Sequence, residues 1–336
     1  MPRPPTMKDV ARAAGVSVMT VSRAMKDGGS VSAEARARVG AAARDLGYVF
    51  DATAANLRLQ RTGFIAVTVP TLNNANFADM VGALSRALGA EGLQVLLGAT
   101  GYDVAQEERL VGQLLRRRPE AVVLTGGSHT AHCRDMLAKA AIPVIETWDL
   151  PDEPLGHVVG FSNAATMEMM VQHLTSRGLH RIAFVGGDTN QDTRGADRKR
   201  GFLAAMARRG LAADRLIGMG APPISMRQGA DAMARLLVEM PDTQAVICVS
   251  DLSAFGALSA CARAGVRVPD DMAVAGFGAY EIASVCVPTL TTIDPFPSAI
   301  GAAAARLILA RDTMDQPFQR IEVTPRLVIG GSTPAR

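Results

Sequence analysis

The sequence predicts a small all-α helix-turn-helix headpiece joined to an α/β body of two doubly wound parallel-sheet lobes. Three observations carry that expectation. Residues 1–49 hold three short amphipathic stretches punctuated by capping residues and glycines. From Gly63 onward, apolar runs of strand length alternate with helical patterns, twice in succession. Charge is also uneven: residues 1–62 carry ten Lys/Arg against five Asp/Glu, leaving 25 against 27 in the remaining chain. A basic head on a near-neutral body fits a polyanionic partner for the head, although a basic solvated face has the same composition.

The first helix is expected over Met7–Ala14, with Thr6 as N-cap and Met7, Val10, Ala11 and Ala14 on one face. Gly15 ends it, and Ser17 caps a second helix running from Val18 to Met25. A third follows Ser32, from Ala33 to Leu46, and stops at Gly47. Two short helices joined by a tight turn place the second one in a major groove. Its outward face is Val18, Met19, Ser22 and Arg23, with Val21, Ala24 and Met25 inward. Arg23 suits a guanine edge or a phosphate, and Thr6, Ser17 and Thr20 suit phosphate contacts. On spacing alone, a three-helix bundle that binds protein stands beside this reading.

The segments Asp9-Val10-Ala11, Ala14-Gly15-Val16-Ser17 and Thr20-Val21-Ser22-Arg23 resemble the DNA-binding signature of the LacI/GalR family of bacterial repressors. Val31-Ser32, Arg36, Val39 and Leu46-Gly47-Tyr48 extend the likeness. Lys26, Ala35 and Asp51 depart from it. The stretch 50–62 is Ala-rich and helix-capable but too short to hold as an isolated helix, and by itself reads as a linker. The resemblance implies instead a hinge helix that folds on DNA, with Leu57 wedged into the minor groove.

In the body, strands are expected at 64–69, 93–97, 121–124, 143–145, 181–185, 245–249 and 273–277. Helices are expected near 77–90, 105–117, 130–141, 164–177, 198–209, 226–239 and 252–264. Ligands of such sheets lie beyond the carboxyl ends of the strands. Asn76, Phe77, His129, Trp148, Arg194, Arg198, Asp251 and Tyr280 stand there or nearby as effector-site candidates. Arg194 and Arg198, four residues apart, suit the carboxylate or phosphate of a sugar acid. A surface salt-bridge network with Asp192 and Asp197 is the other reading of that pair.

The body resembles the sugar-binding, periplasmic-binding-protein-like core of the same family. Val69-Pro70 through Asn74, Gly160-Phe161-Ser162-Asn163, Arg198-x-x-Gly201-Phe202 and Ser250-Asp251 carry the likeness. It implies that the Arg198 side chain grips the effector and that Asp251 accepts from its hydroxyls. Gly101-Tyr102, Gln106 to Leu110, and Leu124-Thr125 with His129-Thr130 resemble the gluconate-utilisation repressor branch. The expected division is headpiece 1–49, hinge 50–62 and body 63–336. Lobe one takes about 63–161 plus 294–322, and lobe two about 162–290 plus 323–333.

The partners implied are double-stranded operator DNA, a small sugar-like effector, and a second copy in a homodimer, with a tetramer possible in such a family. No catalytic residues, cofactor or metal are expected: nucleotide-binding, hydrolase and metalloprotease motifs are missing, and the four cysteines lack C-x-x-C spacing. No apolar run reaches membrane-spanning length and no secretory leader opens the sequence, so the expected location is the cytoplasm, on the nucleoid when DNA-bound.

Overall fold

The computed structural model describes residues 3–25, 30–49, 62–187, 191–310 and 317–335. It divides into two compact units, Met1–Thr62 and Gly63–Arg336.

In the first unit, α1 (Met7–Ala14), α2 (Val18–Ala24) and α3 (Ala33–Leu46) pack around Val10, Ala11, Ala14, Val21, Ala24, Val39, Ala42 and Ala43. Gly15 (φ 64°) and Gly47 (φ 63°) take the left-handed conformation that turns the chain out of α1 and α3. Asp9, three residues on, closes the cap of α1 onto Thr6. Both the Thr6 hydroxyl (2.6 Å) and the Thr6 N–H (2.9 Å) donate to Asp9 Oδ2. Those two bonds hold the Asp9 carboxyl down to about 2. Arg36 of α3 donates to the Ala24 carbonyl (2.9 Å), satisfying an end group that α2 cannot pair internally.

The second unit begins with β1 (Phe64–Val69), α4 (Ala75–Gly89), β2 (Gln94–Ala99) and α5 (Val104–Leu115). β3 (Val122–Thr125), α6 (Ala131–Ala140), β4 (Val144–Thr147) and β5 (His157–Gly160) follow. The second series is α7 (Asn163–Thr175), β6 (Ile182–Gly186), α8 (Thr193–Arg208), β7 (Leu216–Gly218), α9 (Met226–Glu239) and β8 (Ala245–Cys248). It continues through α10 (Asp251–Ala264), β9 (Ala273–Ala275) and α11 (Glu281–Val285). The chain closes with β10 (Thr292–Asp294), α12 (Pro297–Leu309), β11 (Arg320–Glu322) and β12 (Arg326–Val328).

One sheet has the order β11-β5-β4-β3-β1-β2 and the other β7-β6-β8-β9, with every pair parallel. Each is wound outward in both directions from its first strand, so a crevice opens where the order reverses, at β1/β3 and at β6/β8. Strands β1, β3, β4, β6 and β8 are buried along most or all of their length, which explains why they are mostly apolar and rich in Val, Ile and Ala. Edge strand β2 is mixed in exposure. The chain passes between the sheets after β5, between β10 and α12, and between β11 and β12, where β10 and β12 pair antiparallel. Close approach of helices relies on glycine: a methyl on Gly256 of α10 would overlap the Met226 carbonyl of α9.

Two expectations need correction. Helix α8 begins at Thr193, not near Arg198, so both arginines lie on its first turns rather than at a loop-to-helix boundary. Strands β5, β7, β10, β11 and β12 and helices α11 and α12 add to the expected elements. β7 has three residues and β5 four, too few to show periodicity.

Candidate functional site

On the head, α2 presents one face outward from its first turn. Val18 and Met19 are 41% and 65% exposed, unusual for apolar side chains on so small a core, while Val21 and Ala24 are buried. Arg23 is exposed and Ser22 and Thr20 half-buried. Ser17 caps the helix by accepting from the Thr20 N–H (3.1 Å), and the two hydroxyls lie 2.9 Å apart. Ser17, Val18, Met19, Thr20, Ser22 and Arg23 therefore run along α2 from its N-cap to its last turn, none of them fully buried. Thr6 caps α1 with its proton already given to Asp9. Leu57, Lys26 and Asp51 lie outside the described residues.

In the body, a cleft is walled by strand ends of both sheets. Asn74, Asn76 and Phe77 come from the β1–α4 connection, Tyr102 from beyond β2 and Trp148 from beyond β4. Asp192, Arg194 and Arg198 come from the start of α8, and Ser250, Phe277 and Tyr280 follow β8 and β9. Six of the eight expected residues thus meet: Asn76, Phe77, Trp148, Arg194, Arg198 and Tyr280.

The cleft's charge is concentrated in α8. Arg198 is buried. Its Nη1 donates to Asn163 Oδ1 (2.6 Å), its guanidinium lies 4.3 Å from the Phe277 ring centroid, and Nη2 is 4.0 Å from Asp192. Asn163 in turn donates to the Trp148 carbonyl (2.9 Å), joining the two sheets' loops through one amide. Arg194, also buried, has Nη2 3.6 Å from Asp192 and Nη1 3.4 Å from the Thr125 carbonyl. Two guanidiniums thus share one carboxylate, and both Arg198 Nε and Asp192 Oδ1 are buried without a hydrogen-bond partner. Buried polar groups left unpaired are costly, so a ligand offering an anion and hydroxyls would relieve this wall. Burial, then the Asp192 charge, lifts the Tyr102 hydroxyl to about 12, and burial lifts Tyr280 further; both phenols remain donors at neutral pH.

Backbone strain collects at the same place. Tyr102 (φ 62°), Trp148 (φ 72°) and Ala279 (φ 50°) occupy the left-handed region without being glycine. Trp148 is held there by its N–H on the Val159 carbonyl (3.1 Å), by Asn163, and by aromatic edges on Phe77 and Phe161.

Two expected site residues are elsewhere. Asp251 has no exposed surface: its carboxylate accepts from the Thr292 hydroxyl (2.6 Å) and the Tyr280 N–H (2.8 Å). It shapes the loop that carries Phe277 and Tyr280 instead of facing the cleft. His129 is sealed below the cleft, with Nδ1 2.6 Å from Glu107 and Nε2 3.3 Å from Glu146. Burial works against its imidazolium, but hydrogen bonding and charge from Glu107 and then Glu146 prevail and raise its pKa to about 9. The Nδ1–carboxylate separation of 2.6 Å is that of a charge-assisted hydrogen bond. Because this pKa is raised above its unfolded value near 6.5, its stabilisation is complete below that pH and lost as pH rises through about 9. The body is therefore expected to lose on the order of 3 kcal/mol between neutral pH and pH 10, a loss that His129→Gln should flatten. Urea melts of both proteins across that range check this, and parallel pH curves would reject it.

Tyr102 is a cleft residue outside the strand-end candidates, although it lies in the Gly101-Tyr102 motif. The turn Pro222-Pro223-Ile224, also in the cleft wall, has no site signal in the sequence.

Comparison with known proteins matches residues 6–51 to the model "Bacterial regulatory proteins, lacI family" and residues 171–333 to "Periplasmic binding protein-like domain". The chain is 35% identical over 306 residues to the HTH-type transcriptional regulator GntR of Pseudomonas aeruginosa, covering 91% of this chain and 89% of that one. It is 31% identical over 329 residues to the regulator of the same name from Escherichia coli K12, covering 98% and 96%. A crystal structure of a LacI family transcriptional regulator from Silicibacter pomeroyi superposes with a TM-score of 0.90 at 31% identity, covering 98% of this chain and 99% of that one.

Proposed function

The chain belongs to the LacI family of bacterial regulatory proteins, DNA-binding transcriptional regulators and not enzymes, and on that premise we propose that its effector is a sugar acid. In this reading residues 1–49 bind a palindromic operator, 50–62 form the hinge, and 63–336 bind the effector and dimerise. Gluconate or a closely related polyhydroxy acid is the ligand the cleft fits best. The observation that carries this is the pair of buried guanidiniums, Arg194 and Arg198, sharing the single carboxylate of Asp192. A neutral sugar would leave that excess charge unpaired. A carboxylate meets it in bidentate fashion, and the phenols and Asn76 remain for hydroxyls. The likeness of Gly101-Tyr102 and His129-Thr130 to the gluconate-utilisation branch supports the same ligand.

The effector acts by linkage. A ligand preferring one lobe arrangement changes DNA affinity by its differential binding, typically 5- to 150-fold, in either direction. The test combines a duplex selected from random DNA with a thermal-shift titration of the full chain. Gluconate should raise the melting temperature and change duplex affinity within about that range, while neutral pentoses and hexoses do neither. Equal response to neutral sugars would overturn the acid assignment.

A further inference from the structure

We propose that the effector cleft continues, past a partition made by Tyr102 and Arg194, into a second chamber that receives the uncharged polyol end of an extended hydroxy acid. This rests on the sugar-acid reading above and narrows it to a free acid, not its terminal phosphate.

A second, half-open cavity adjoins the cleft and shares Tyr102 and Arg194 with it. The guanidinium of Arg194 faces both spaces: Nη2 is 3.6 Å from Asp192 in the cleft wall, and Nη1 is 3.4 Å from the Thr125 carbonyl in the chamber wall. Glycine is required where this partition meets the loop, since a methyl on Gly126 (φ 99°) would come within 2.7 Å of Arg194 Nη1. Beyond the partition the lining changes character. Thr100, Thr125, Ser128 and Thr193 bring hydroxyls, Asp103 brings a carboxylate, and the Glu107 carboxylate there is already engaged by His129.

Charge therefore grades along the path. The cleft offers two cations against one carboxylate, and the chamber offers the Asp103 carboxylate, Glu107 being already paired with the His129 imidazole, with Arg194 at its mouth. The half-exposed Asp103 carboxylate accepts readily from an alcohol and repels a second anion. One end of the ligand must be an acid and the other must carry hydroxyls only. A three-carbon acid fills the cleft's anion site without entering the chamber. A six-carbon open-chain acid spans both.

Calorimetric titration of the full chain with D-glycerate, D-gluconate and 6-phospho-D-gluconate tests this. Gluconate should bind about tenfold or more tighter than glycerate, as one or two net hydrogen bonds would give. The phosphate ester should bind about tenfold or more weaker than gluconate. Ser128→Phe, which adds bulk to the chamber lining alone, should erase the advantage of gluconate and leave glycerate unchanged. Asp103→Asn keeps a side chain able to cap α5 and should reduce the penalty on the ester several-fold. Glycerate binding as tightly as gluconate, or the ester matching it, would overturn the chamber. So would Ser128→Phe weakening both acids equally. If neither acid binds and neutral sugars do, the sugar-acid reading itself falls, and the chamber with it.

Discussion

Replacing Arg23 with alanine is expected to abolish sequence-specific DNA binding while leaving the head folded. Arg23 is exposed on α2, whereas the core of that unit is made by Val10, Val21, Val39 and their alanine neighbours. Its loss creates no cavity and strands no buried group. On DNA, a bidentate arginine–guanine contact discriminates by about 1–3 kcal/mol, and a two-fold operator uses it twice. Specific affinity should then fall by about thirty-fold at the least and about twenty-thousand-fold at the most, while non-specific binding falls far less. Footprinting on the selected duplex, beside a far-ultraviolet dichroism melt of the head, measures both quantities. A wild-type footprint from the Arg23→Ala protein would place base recognition elsewhere. Met19 offers a graded companion, because an exposed methionine beside Val18 fits apolar contact with thymine methyl groups and not a surface left in water.

The second large effect is expected at Arg198. Its guanidinium pairs with Asn163, lies over Phe277 and approaches Asp192, so alanine removes the cation nearest the junction of the two sheets. Gluconate binding should weaken by about ten- to a hundred-fold through the lost charge-assisted bonds alone. The loss also unpairs Asn163, whose amide holds the strained Trp148 backbone, and this adds to the effect. Arg198→Lys separates charge from geometry: a point charge restores attraction but not the planar fork, so affinity should recover only in part. Duplex affinity without ligand should be near wild type in the lysine variant. If Arg198→Lys and Arg198→Ala both bind gluconate as the wild type does, Arg198 is not part of the anion seat.

Much of this protein was legible in its sequence because the deciding interactions are local or periodic. Gly15, Ser17 and Ser32 announce helix ends through their own backbone and hydroxyl chemistry, and α2 shows its outward face through the spacing of Val21 and Ala24. The doubly wound body follows from alternating buried strands and helices, and strand-end logic found six of the eight cleft residues it named. Arg194 and Arg198 could be paired from spacing alone, because four residues on a helix share a face.

Tertiary structure decided the rest. Asp251 and His129 also follow strands, yet one carboxylate is taken by Thr292 and Tyr280, and the imidazole is enclosed by Glu107 and Glu146. Their partners are 22 residues away for the first glutamate and 41 for Thr292, and no local pattern records such pairings. Nor does sequence show that Arg194 stands between two cavities, with Thr125 on one side and Asp192 on the other. A strand end fixes where a side chain starts. What that side chain faces depends on which distant segments pack against it, and whether a buried charge meets a ligand or a neighbour is settled only there.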